Sequence, residues 1–487
     1  EDGYTHSVRL GALNDPLHEI QKASTIVLIG SDLPNELPIL NLQVRMRVRE
    51  GAPLLVAHRR GTGYRSLAAQ HLIYRPGTET LFLAALFTVL AQEKGVDIPA
   101  PLAKMFADFD CETAVEQCGV EMESLREFAQ GLLSTSRPVV LVGEEAWAAT
   151  DGIQIVRALA NIVRMIDLDD GKHIGLNLLC SQSNSRGAND IGVYPHIGPG
   201  MTQAELEGLN THRILQAASE GKVKSLFIVG EDLLARYPDR ALVQDALDQA
   251  EFVVVADTYL HETAEAADVF IPIVPFTETD GTYTNVSGQL QRIQKALEPI
   301  PGTIPTWLLI WKLAEQFGAD WGAPSPEFTF YRMTDSVQSY KGAHWEALEE
   351  TEWFTRLDAE GTLFGSEGRD YLPFEITPVP EGQGLWLQRG ALLWDCKGDA
   401  GRTPALVARS EPCQAILAPA DVETHGLSNS KPIVVESDDG SITVPFSADD
   451  GVPEGSIVLL GDYDNIGLNR LTSRGAYRVK ISQEGVS

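Results

Sequence analysis

His261-Glu-Thr-Ala-Glu265 falls one residue short of a zinc-protease motif. That chemistry needs two imidazoles one helical turn apart, and Glu265 stands where the second would be, so zinc catalysis is not expected. Gly61-Thr-Gly63 lacks the third glycine of a dinucleotide-binding turn and follows two arginines rather than opening a helix. No phosphate-cradling Gly-x-x-x-x-Gly-Lys-Ser/Thr pattern occurs, so nucleotide binding has little support. A Gly-x-Ser-x-Gly elbow is missing too, and no pair of carboxylates stands out in so acidic a chain. The five cysteines (Cys111, Cys118, Cys180, Cys396, Cys413) contain no Cys-x-x-Cys. Cys111 and Cys118 fit two half-buried thiols better than a metal pair, and the odd, scattered set fits a reducing compartment rather than a disulfide framework.

Two segments have more to offer. Arg45, Arg47, Arg49, His58, Arg59, Arg60 and Arg65 crowd into 21 residues with Glu50 as the only acid among them. The six arginines read either as an anion site or docking patch for an acidic partner, or as a solvated helix and loop. The second segment, Phe276 to Gly288, is a polar, glycine-containing stretch after the apolar strand Asp268 to Val274. Ligand crevices of open α/β sheets lie at the carboxyl ends of strands, which makes it a candidate binding loop; a structured connection is the alternative.

The elements that must position these residues follow a repeated local pattern: an apolar strand, a glycine, then acidic residues. It occurs at Thr25 to Asp32, Val139 to Glu145 and Ser225 to Asp232. Short β-rich runs ending in glycine before a helical pattern begin β-α-β units of a parallel sheet. After Gly30 come a helix and the strand Pro53 to Ala57; after Gly230 come a helix and the strand Glu251 to Ala256. In the first helix Leu33, Leu37, Leu40, Val44 and Val48 form one apolar stripe, with Arg45 and Arg49 on another face. From about Leu406 the pattern changes to short strands broken by turns, with a hairpin turn at Asp438-Asp-Gly-Ser441.

The expected fold class is therefore α/β: two Rossmann-like parallel-sheet domains and a C-terminal β-barrel. The expected divisions are 1–130 for the first domain, N-terminally incomplete, and 131–330 for the second. A connecting region spans 331–405, part of it a candidate to complete the first domain, and the barrel spans 406–487. A chain of 487 residues is too long for one core. With 38 Lys+Arg against 68 Asp+Glu its net charge is −30, which disfavours nucleic acid as a partner and suits basic partner proteins. The longest nearly unbroken apolar run, Leu81 to Ala91, is far short of the roughly 20 residues of a bilayer span. The N-terminus lacks an initiator Met and a signal-peptide pattern, so the chain is expected to be a piece of something longer.

Three blocks carry a family resemblance. Val27 to Pro38 with Arg45 and Gly51 to Val56 resembles the first nucleotide-type block of molybdopterin oxidoreductases. Gly187 to Gly192 with Gly221 to Gly230 is similar to the second. Val255 to Pro272 through Asp280-Gly-Thr-Tyr-Thr-Asn285 is the most specific and absorbs the His261–Glu265 near-miss. Asp421 and the Gly426-Leu427 turn resemble the family's C-terminal region.

The resemblance implies a pterin crevice at Gly30, Asp32, Asp280, Gly281, Thr282 and Asn285. Departures point to one branch of the family. Active members carry a Cys, selenocysteine or Ser metal ligand upstream, whereas Ser7 is the one such hydroxyl before Ser24; Ser287-Gly-Gln289 replaces a Glu-Gly-Arg. Such losses suit the C-terminal part of the large iron–sulfur subunit of NADH:quinone oxidoreductase (respiratory complex I). That identification implies a non-catalytic, docking role with no catalytic residue, metal or cofactor in this chain. Its [2Fe-2S] and [4Fe-4S] clusters would lie in a missing N-terminal region. The implied partners are that region and the other peripheral-arm subunits, and the implied place is the cytoplasmic face of the inner membrane, with no membrane span. Two alternatives stay open: a catalytic molybdopterin or tungstopterin oxidoreductase of formate-dehydrogenase type without its N-terminal cluster domain, and the related subunit of a soluble NAD-linked hydrogenase.

Overall fold

A computed structural model describes residues 20–147, 151–167, 175–285, 288–351, 354–355, 371–379, 382–393, 401–410, 413–461, 467–471 and 478–483. The chain divides into two units: unit 1 is Glu1–Ser181 with Glu360–Ser487, and unit 2 is Gln182–Ala359.

Unit 1 opens with a parallel sheet of β1 (Thr25–Ile29), β2 (Leu54–His58), β3 (Gln70–Ile73), β4 (Pro138–Val142) and β5 (Gly175–Leu178), in the order β3-β2-β1-β4-β5. The three central strands are β-branched and leucine-rich because helices cover both faces, so every residue of β1, β2 and β4 is buried. Two short helices follow β1: α1 (Leu33–Glu36) and α2 (Pro38–Arg49), each opened by a proline suited to a first turn. Of the expected stripe Leu33, Leu40 and Val44 are buried, whereas Leu37 and Val48 are half-buried, and the one helix expected is two, parted at Leu37 ahead of Pro38. The apolar run from Leu81 lies in α3 (Glu79–Lys94), a core helix buried from Glu79 to Ala91 except at Thr88. Gly95, at φ 65°, terminates it in the left-handed region that favours glycine. The helix packs against α4 (Met122–Leu133) and, beyond α5 (Glu144–Trp147), against α6 (Gly152–Asp167). The sheet thus crosses the 130/131 division expected from the sequence: β4 pairs with β1 along its whole length.

In unit 2, helices α7 (Thr211–Ser219) and α8 (Arg240–Gln249) cover one face of a parallel sheet in the order β8-β7-β6. Its strands are β6 (Ser225–Val229), β7 (Phe252–Asp257) and β8 (Val269–Pro272). A one-turn helix, α9 (Glu262–Glu265), joins β7 to β8. Strands β9 (Gly281–Thr284) and β10 (Gln289–Ile293) form an antiparallel hairpin. Helix α10 (Thr306–Gln316) sets Leu309 beside Ala256 and Ile273, and α11 (Pro326–Ser336) sets Phe330 in a core with Leu290, Tyr340 and Trp345.

The remainder of unit 1 is a seven-stranded mixed sheet: β11 (Leu385–Gly390), β12 (Gln414–Leu417), β13 (Ile433–Glu436), β14 (Ser441–Val444), β15 (Phe446–Ala448), β16 (Ser456–Leu460) and β17 (Arg478–Ser482). Its order is β14-β13-β17-β11-β16-β12-β15. The expected hairpin at Asp438–Ser441 is present, with Ser437 N–H donating to the Gly440 carbonyl at 2.9 Å. The expected barrel is not: among the described residues the sheet is open, its edges β14 and β15 unpaired with each other. Strand β11, from the stretch that reads as a connection, is its middle member. No helix among the described residues is long and apolar enough to cross a membrane.

Candidate functional site

In the first sheet the chain moves outward one way from β1 to β3 and then the other way through β4 and β5. The loops after β1 and β4 therefore part on opposite faces, which is where an open α/β sheet forms its crevice. Three loops reach this mouth: Gly30-Ser31-Asp32 after β1, Arg59-Arg60 after β2, and Gly143 leading into Glu144-Glu145 after β4. Gly30 and Gly143 permit close approach. A Cβ on Gly143 would stand 2.1 Å from the Gly30 carbonyl, and one on Gly30 would stand 2.6 Å from the Ala146 Cβ. The β1 and β4 loops are therefore packed on each other.

Glu145 is the hub. Its Oε2 lies 2.9 Å from Arg60 Nη1, 3.0 Å from Arg59 Nη2 and 3.7 Å from His58 Nε2, while Arg60 Nη2 donates to Oε1 at 3.2 Å. Burial would raise the Glu145 pKa, but Arg60, Arg59 and His58 overcome it and hold the carboxyl far below its ordinary value. Arg59 also reaches Glu79, 3.8 Å away, at the start of α3. His58 is fully enclosed, and its Nδ1 accepts the Arg60 amide at 3.1 Å, which leaves the hydrogen of the neutral ring on Nε2, toward Glu145. Burial first and Arg60 second push its pKa well below the ordinary value.

Beside this cluster Glu36 accepts from Ser31 Oγ at 2.5 Å with Oε2, while its Oε1 has no hydrogen-bond partner among the described residues. Burial, then the Glu145 charge, raises the Glu36 pKa to about 7. Asp32 is engaged internally: Oδ1 accepts the Gly63 amide at 3.2 Å and Oδ2 accepts from Asn35 at 2.9 Å. The loop after β2 is tied to the second sheet of unit 1 by Gly61 N–H to the Gly451 carbonyl at 2.6 Å and by Arg65 to Asp449 at 2.9 Å.

The arginine patch expected from the sequence is therefore split. Arg59 and Arg60 turn inward to Glu145 and are not a docking surface. Arg65 is paired with Asp449, and Arg47 donates to the Ala23 carbonyl at 2.7 Å and to Glu50 at 3.2 Å. Only Arg45 and Arg49 have no acceptor or carboxylate partner among the described residues. The sequence places His58 with Arg59 and Arg60 but gives no sign that Glu36, Glu79 and Glu145 join them in one site. The one available signal is the acidic pair after Gly143, which reads as a strand-end pattern without a partner.

In unit 2 the polar stretch that reads as a binding loop is mostly the β9–β10 hairpin, with Thr282 opposite Arg292. Asn285 closes its turn: Oδ1 accepts the Gln289 amide at 3.0 Å, and Nδ2 donates to the Gln289 and Gln291 side chains at 3.2 Å each. Asp280 accepts the Lys295 amide at 3.3 Å, and Gly281 opens onto free space. Residue Ser287 lies outside the described residues. Gly30 and Asp32 belong to unit 1, and Asp280, Gly281, Thr282 and Asn285 to unit 2. His261 caps α9, its Nδ1 accepting the Ala264 amide at 3.3 Å between Asp232 and Asp257, and Glu262 pairs with Arg240. That is a structural role, and no cluster of metal-binding side chains occurs among the described residues. Burial raises the Cys111 thiol pKa and pushes that of Cys118 up to about 12, which makes both less reactive than a free thiol.

The unit 1 mouth does not suit an anionic group as it stands, because an incoming phosphate would have to displace the Glu145 carboxylate from two guanidiniums. The comparisons with known proteins place the chain among enzymes and their relatives. The F420-dependent formate dehydrogenase subunit alpha of Methanocaldococcus jannaschii is 27% identical over 410 residues, 76% of this chain and 61% of that protein. An NADH-quinone oxidoreductase subunit of Rhizobium meliloti is 25% identical over 482 residues, 95% of this chain and 55% of that protein. The chain spans between 38% and 61% of the length of the first relatives it matches. The acetylene hydratase of Pelobacter acetylenicus shares the fold, with a TM-score of 0.68 at 16% identity over 94% of this chain and 73% of that one. With two parallel sheets, the first ending in packed glycine loops, and with residues 4–316 matching the model of the molybdopterin oxidoreductase family, the chain belongs to that family.

Proposed function

We propose that this chain is a non-catalytic, structural and docking part of the large iron–sulfur subunit of an NADH:quinone oxidoreductase, supporting electron transfer from NADH to quinone. The observation that carries this reading is Glu145, which neutralises Arg59 and Arg60 at the carboxyl ends of the first sheet. A carboxylate in bidentate contact with buried guanidinium groups completes the site from within and leaves its charge satisfied without a ligand. The likeness to the Rhizobium meliloti protein along 95% of the chain adds to it. On this reading the [2Fe-2S] and [4Fe-4S] clusters sit in an N-terminal region of the same subunit. The chain packs beside that region and the other peripheral-arm subunits, on the cytoplasmic face of the inner membrane.

A second reading, a catalytic molybdopterin or tungstopterin oxidoreductase of formate-dehydrogenase type, is favoured by the formate dehydrogenase alpha subunits among the relatives. The two separate on one preparation: the full-length protein from cells supplied with molybdate and tungstate, assayed for molybdenum, tungsten and acid-released pterin. The first reading expects iron but neither pterin nor the heavier metals. About one molybdenum or tungsten with two pterins per chain would overturn it in favour of the second.

A further inference from the structure

Helix α2 has a second apolar stripe that its packing does not use. Leu40 and Val44 face the sheet, whereas Ile39 is 68% exposed and Leu42 and Met46 are each 55% exposed. Their spacing, three and then four residues, sets them in one line along the outer face of the helix. Single exposed apolar residues are ordinary, but three in register form a continuous ridge over about two turns. Arg45 and Arg49 flank this ridge, four residues apart. Both lack a carboxylate partner among the described residues, in a chain where acids outnumber bases 68 to 38.

We propose that the outer face of α2 is a docking ridge for an acidic amphipathic helix of a partner protein. The partner's apolar residues would lie against Ile39, Leu42 and Met46, with Asp or Glu side chains meeting Arg45 and Arg49. Apolar anchors at i, i+3 and i+7 are the spacing by which one helix reads another, and a planar guanidinium pairs with carboxylates in a fixed fork. Charge selects among occupants. A second copy docked by two-fold symmetry through this face would bring the same arginine row to the contact and set like charges together. An anionic lipid surface would face a chain of net charge −30, which repels it. The ridge is independent of whether the family's cofactor is bound, so its failure and the failure of the proposed function are separate results.

The test places a photo-crosslinker on the ridge, as Leu42→p-benzoylphenylalanine, in the full-length protein within its native assembly. Irradiation is expected to join it to one segment of another protein, with apolar residues at helical spacing flanked by Asp or Glu. Adding Arg45→Glu with Arg49→Glu should lower the crosslink yield at least tenfold, and arginines at the mapped acidic positions should restore it. Met46→Ser, which keeps both charges, should lower the yield severalfold. Circular dichroism and melting temperature must match the parent for each variant. A crosslink to a second copy or to lipid, no crosslink at all, or a yield indifferent to the charge reversal would overturn the proposal.

Discussion

Removing the Glu145 charge takes from Arg60 its paired carboxylate and leaves Arg59 with the longer contact to Glu79, 3.8 Å away, in a site nearly closed to water. Breaking a buried pair from one side costs about 3–5 kcal/mol, so Glu145→Gln should unfold at markedly lower denaturant than the parent. An unchanged midpoint would show that water reaches the arginines. Glu36 acts in the opposite sense. Its folded pKa of about 7 exceeds the ordinary 4.5, so between these values the folded state holds a proton that the unfolded state has lost. Stability should therefore be full below about pH 4.5 for this group and fall as pH rises toward 7, by on the order of 3 kcal/mol. Glu36→Gln should flatten that slope and melt higher than the parent at pH 8; a parallel pH profile for the two would refute the assignment. Neither role is legible in the sequence. The arginines and the Gly143-Glu144-Glu145 turn both stand out there, but 85 residues separate Arg60 from Glu145 and nothing local says that their strand ends meet.

At the scale of elements, the β1 and β4 loops meet through glycine. Gly143→Ala forces a methyl into the Gly30 backbone, which cannot yield as a side chain tip can. A loss of roughly 1–3 kcal/mol or more is expected in chemical denaturation, as for other overpacked sites. Gly281→Ala, which meets nothing within 4 Å, should leave the midpoint unchanged. The elements themselves are readable. The strands at Thr25, Pro138 and Ser225, the buried stripe of α2 and the hairpin at Asp438 all follow from local periodicity and turn chemistry. Which sheet a strand joins is a nonlocal fact. For that reason local pattern puts β4 in the second domain when it belongs to the first sheet, and suggests a closed C-terminal barrel when β14 and β15 remain as edges.

At the scale of the whole molecule, unit 2 is one uninterrupted stretch from Gln182 to Ala359 with its own buried cores around Leu226, Phe330 and Leu309. A fragment of those residues is expected to melt cooperatively by itself. One cut at the sequence-derived 131–330 would carry β4 and β5 without β1 and is expected to aggregate, which light scattering would record. Two fragments behaving alike would count against this partition.

That interruption of one unit by the other also sets a timetable for synthesis. Residues up to Ser181 leave the ribosome first, yet Arg65 and Gly61 find Asp449 and Gly451 only when the last part of the chain emerges. At roughly 5–20 residues per second, the first sheet waits from about fifteen seconds to a minute, while unit 2 has time to finish. During that wait the loop after β2 lacks its anchors, and the nascent chain is most exposed to chaperones and proteases.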